Sequence, residues 1–77
     1  MLKMKSFQII DGTPVHLTEL NKGDRFTCYD EQGYRYTYDA ISNVTEQNGI
    51  NTIGAIRVRQ EPEDYVARID WLTEEVK

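Results

Sequence analysis

Seventy-seven residues with a formal net charge of −4 are enough for one domain, residues 1–77, and leave no room for a second. A domain of this size buries only roughly 60% of the surface its unfolded chain exposes, so its core must be compact. The single cysteine, Cys28, excludes an internal disulfide, and a single histidine, His16, cannot complete a zinc site with it.

The charge is unevenly placed. Residues 1–60 carry seven basic and seven acidic side chains, so the whole excess falls in the last 17 residues. A bulk electrostatic case for nucleic-acid binding is therefore absent. The first ten residues are too broken by Lys3, Lys5 and Gln8 for a signal peptide. No apolar run approaches the roughly 18 residues of a membrane span. A lone cysteine suits a reducing compartment. The expectation is a soluble, cytoplasmic protein without a membrane or a cofactor, and the small orphan size suits a phage or mobile element.

In chain order, residues 3–10 read as a strand ending in Phe7, Ile9 and Ile10, and Asp11 to Pro14 read as a turn. Val15 to Leu17 can begin a short strand, or Thr18 to Leu20 can form one helical turn. Asn21 to Asp24 is a further turn. Arg25–Tyr29 and Tyr34–Val44 are rich in aromatic and β-branched residues and flank Asp30-Glu31-Gln32-Gly33. Asp first and Gly fourth favour a type I turn, with the Gly in the left-handed region. That register pairs Cys28 with Tyr36 and Phe26 with Tyr38, and it gathers Phe26, Cys28, Tyr34, Tyr36 and Tyr38 on one face.

Asn48-Gly49 is a strong two-residue hairpin signal. It pairs Gln47 with Ile50, and continued regularly it sets Ile41 against Ile56 and Tyr38 against Arg59. The two hairpins then place apolar groups on both faces. A bulge near Gly54, or a bent strand, resolves the conflict and favours a barrel over a flat sheet. The tail is open between two templates. As a strand, Tyr65, Ala67, Ile69 and Trp71 alternate inward. As a helix entered at Pro62, Tyr65, Val66, Ile69, Leu72 and Val76 form a stripe that leaves Trp71 outside. The strand-rich context leans toward a strand.

The chain accordingly reads as mainly β: a small, partly open barrel of five or six strands, SH3-like or OB-like, with a C-terminal helix as the alternative to the last strand. Leu17 to Phe26, followed by Tyr29 to Gly33, resembles a phrase found in SH3-like barrels among other small β folds, and it specifies no family.

No nucleophile–base pair, metal set or phosphate-cradling loop is legible, and the five glycines are dispersed among turns. The reading is of a non-enzyme with no evident small-molecule substrate. Two surfaces stand out. Tyr65, Ile69, Trp71 and Leu72, in an acidic tail, suit a protein partner or self-association, with the charges speeding encounter with a basic surface. Tyr34, Tyr36 and Tyr38, with Arg57 and Arg59, resemble a stacking surface for single-stranded nucleic acid. The favoured expectation is a protein-interaction module acting as an accessory or regulatory factor or an assembly subunit. The nucleic-acid reading is the alternative.

Overall fold

A computed structural model describes residues 2–58 and 68–74. Its strands are β1 (Leu2–Ile9), β2 (Arg25–Tyr29), β3 (Arg35–Ala40), β4 (Thr45–Gln47), β5 (Ile50–Arg57) and β6 (Ile69–Glu74). Five of them close into a barrel in the cyclic order β1-β2-β3-β5-β6, and β4 is an extra strand on β5. The sheet is therefore closed rather than partly open. Chain direction alternates around this meander, and five strands are an odd number, so one pair must be parallel. That pair is β1–β6, with Leu2 beside Leu72, Lys3 beside Thr73 and Met4 beside Glu74.

The tail is thus a strand over Ile69–Glu74, although its faces are opposite to those expected. Ile53 and Ala55 point into the barrel, and β6 pairs Leu72 with Ile53 and Trp71 with Gly54. Leu72 is therefore inside, while Ile69 and Trp71 face out. The hairpin signals of the sequence set no register between β5 and β6.

The first hairpin forms as read. Cys28 pairs with Tyr36 and Phe26 with Tyr38. Gly33, at a φ of +90°, donates its N–H to the Asp30 carbonyl. The second hairpin pairs Gln47 with Ile50, but its register slips by two residues farther along. Asp39 stands opposite Ile56, and Tyr38 opposite Arg57 instead of Arg59. The slip occurs across from Gly54. The Ile41 N–H donates to the Gly54 carbonyl, and the Ser42 hydroxyl accepts the Gly54 N–H, so the chain between Ala40 and Thr45 leaves the ladder around a single residue. The irregularity expected near Gly54 is present, on the strand facing it. Because the slip is even, Tyr38, Ile53 and Ala55 stay on one face, and all three are buried.

A one-residue bulge does the opposite in β1. The register moves between Lys5 and Gln8, and Ser6 adopts a φ of +57°. Before it, Met4 points inward; after it, Phe7 does, with Ile9 packed on the same core. Without the extra residue, Ser6 and Gln8 would take those places. The core comprises Met4, Phe7, Leu17, Leu20, Phe26, Cys28, Tyr38, Ala40, Ile53, Ala55 and Leu72. Phe7, Phe26, Tyr38 and Tyr36 form a chain of ring contacts with centroids 5.9, 6.0 and 6.4 Å apart.

No second strand forms at Val15 to Leu17. Pro14 makes one isolated bridge to Gln8, and Leu17–Glu19 is a 3₁₀ turn. This turn brings Leu17 and Leu20, both buried, across one end of the barrel, and the Leu17 N–H donates to the Glu74 carboxylate at 3.1 Å. No helix among the described residues is long and apolar enough to cross a membrane.

The left-handed Ser6 should respond to side-chain branching, because a β-branched residue at that φ is strained and glycine is not. Ser6→Val is expected to be at least about 1 kcal/mol less stable than Ser6→Gly in urea unfolding. Equal stability would mean that β1 carries no left-handed bulge there.

Candidate functional site

The end of the barrel opposite the 3₁₀ turn is open, and most of the Tyr/Arg set converges there. Tyr38 is buried, and its hydroxyl donates to Asp70 Oδ2 at 3.1 Å. Burial first, and the Asp70 charge second, push that phenol well above its ordinary range, so it stays neutral. Tyr36 is half-buried and donates its hydroxyl to Asp30 Oδ2 at 3.0 Å. The Arg57 guanidinium lies 4.5 Å from the centre of the Tyr36 ring, a cation–π geometry. Tyr34 is 65% exposed. Arg59 lies outside the described residues. The three tyrosines therefore do not share one exposed platform: one ring is in the core, one is covered by Arg57 and one is free.

Asp30 organises this mouth. Its Oδ1 accepts the backbone N–H groups of Gln32 and Tyr34, both at 2.9 Å, while Oδ2 takes the Tyr36 hydroxyl. Desolvation pushes its carboxyl up, but the hydrogen bonds from Tyr34, Tyr36 and Gln32 outweigh it and hold the group below its ordinary value. On the other side, Arg68 Nε lies 3.6 Å from Asp70 Oδ1. The cavity among these groups has a volume of about 180 Å³. That is smaller than the roughly 300 Å³ at which sites for drug-sized ligands begin.

The second surface is the outer wall of β5 and β6. Trp71 and Ile69 are each 48% exposed. Ile69 pairs with Ile56, which is half-buried on the same outer face. Trp71 lies across Gly54, where an added Cβ would stand 3.0 Å from Trp71 Cζ3. The absence of a side chain at Gly54 is thus what lets the indole pack closely against β5 there. Of the tail residues expected to meet a partner, Ile69 and Trp71 are on this wall. Leu72 is fully buried in the core, and Tyr65 lies outside the described residues. The acids of β6 are turned away from the wall: Asp70 faces Tyr38, and Glu74 faces the Leu17 N–H and His16. Gly54 and Ile56 were not legible as site residues, since only the β5–β6 register reveals them.

Cys28 is buried, and burial, followed by the Asp30 charge, pushes its thiol up to about 12, so it remains a protonated, unreactive core residue. The exposed His16 ring faces Glu74 at 3.6 Å. Among the described residues, no cluster of three His, Cys, Asp or Glu side chains is placed to hold a metal ion.

Comparison with protein families, with curated proteins and with solved structures finds no match to this chain.

The Asp30 carboxylate should leave a signature in acid. A group held below its unfolded value stabilises the fold above that value, and the contribution disappears as pH falls through the folded one, below 3.8. Asp30→Asn is therefore expected to lower the urea midpoint at neutral pH, and the gap from wild type should shrink as the pH drops through that window. A gap that is constant with pH would show that the carboxylate charge does not hold the turn.

Proposed function

We propose that this chain is a non-enzymatic protein-interaction module that docks a partner on the outer wall of β5 and β6, as an accessory or regulatory factor or a subunit of an assembly. The observation that carries this reading is Trp71: a large indole, about half exposed, packed over Gly54 beside the Ile69–Ile56 pair. Trp is favoured as an interface anchor because it buries much area with few rotatable bonds. Here the ring already rests on the backbone of β5, so little side-chain freedom remains to be lost on binding. The Tyr/Arg set supports a different use. Two of its rings are committed to internal contacts, so it stabilises the barrel mouth more than it offers bases a surface to stack on. The buried free thiol of Cys28 is consistent with a cytoplasmic setting.

Ile69→Asp tests the wall with little structural cost, because the side chain points to solvent. The variant should keep the wild-type melting temperature to within a few degrees while losing a stoichiometric partner that the wild-type chain retains. Trp71→Ala should lose the same partner and also lower stability by about 1 kcal/mol, since Gly54 is uncovered. A folded Ile69→Asp chain that still holds the partner would overturn the assignment.

A further inference from the structure

The charges around this wall identify the kind of partner it fits. On the neighbouring β1, Lys3 lies beside Thr73 of β6, and Lys5 is the next outward position along β1, opposite Tyr29 of β2; both lysines are exposed. The described outward residues of β6 and β5 include Ile69, Trp71, Gly54 and Ile56, and none of them is acidic. On the far flank, Asp39 stands opposite Ile56, but Arg25 binds its carboxylate through two hydrogen bonds of 2.7 and 3.0 Å. Asp70 and Glu74 are engaged on the inner side and at the barrel end. A chain of net charge −4 therefore presents, on this one face, an apolar centre with two lysines on its β1 flank that make no ion pair among the described residues.

Building on the docking reading above, we infer that the partner is a protein surface or segment of acidic and apolar character. Its apolar side chains cover Trp71, Ile69 and Ile56, and its carboxylates meet Lys3 and Lys5. This reverses the partner charge expected from the acidic tail. It also disfavours two other occupants. A second copy set wall to wall would bring like charges together. An anionic lipid surface would gain only about 1 kcal/mol per lysine while repelling the rest of an acidic chain.

Two amphipathic synthetic peptides with the same pattern of Leu and Phe provide the test, one with Glu at every other position and the other with Lys. Bulk charge favours the Lys peptide, so a preference for the Glu peptide reports on the wall alone. The Glu peptide should bind about tenfold more tightly at low salt, perturb Trp71 fluorescence and shift the amides of Lys3, Lys5, Ile56 and Ile69. Added salt should erase the preference, and Lys3→Glu with Lys5→Glu should invert it. If both peptides perturb Trp71 and the Lys peptide binds as well or better, the wall docks partners but the inferred chemistry is wrong. If neither perturbs Trp71, the docking reading fails and this inference fails with it. A dimer in sedimentation that Ile69→Asp dissolves, or co-sedimentation with phosphatidylserine vesicles, would assign the wall to another occupant and overturn the inference.

Discussion

The parallel pairing of β1 with β6 is the constraint on which the rest of this structure depends. It is short, running from Leu2–Met4 beside Leu72–Glu74, yet it converts an open meander into a closed barrel. Closure encloses Met4, Phe7, Phe26, Tyr38, Ile53 and Leu72 on a common inside and leaves the barrel strands no unpaired edge to manage. It also fixes the orientation of β6. Once Leu72 is inside against Ile53, Trp71 has no place but the outer wall, and the docking surface follows.

Two backbone irregularities make that closure compatible with the sequence. The odd one, at Ser6, changes the face that β1 presents and brings Phe7 and Ile9 inward. The even one, between Ala40 and Thr45, leaves the faces of β3 and β5 unchanged but slides them two residues, which places Arg57 over Tyr36. Both are backbone events with side-chain consequences: the first completes the core, and the second closes off the tyrosine surface. At the mouth, Asp30 and Asp70 take the hydroxyls of Tyr36 and Tyr38, so the two half-polar rings of the interior end in satisfied hydrogen bonds.

Local chemistry was legible in the sequence, and long-range geometry was not. Gly33 after Asp30 and the Asn48-Gly49 pair located both hairpins, and the clash between their faces pointed to a bent, barrel-like sheet. The two-residue slip escaped because it depends on Ser42 serving the Gly54 backbone, which no propensity encodes. The alternation through Ile69 and Trp71 looked inward because hydrophobic character alone cannot tell a core strand from an exposed apolar face. What reverses it is the pairing of Trp71 with Gly54, a register that local sequence does not set. Val15 to Leu17 resembled the start of a strand because its apolar residues alternate, but the chain takes the single helical turn that the same stretch also offered, and Leu17 is buried by that turn rather than by a ladder.

Trp71 is the only tryptophan in the chain, so its fluorescence reports on the central claim alone. The measurement is the emission and acrylamide quenching of the folded, monomeric protein set against the urea-unfolded chain. An indole lying on the outer wall predicts emission to the red of a buried tryptophan and quenching at a substantial fraction of the unfolded rate. Blue-shifted emission with near-complete protection would place Trp71 in the core, and would contradict both the closure of the barrel and the wall built on it.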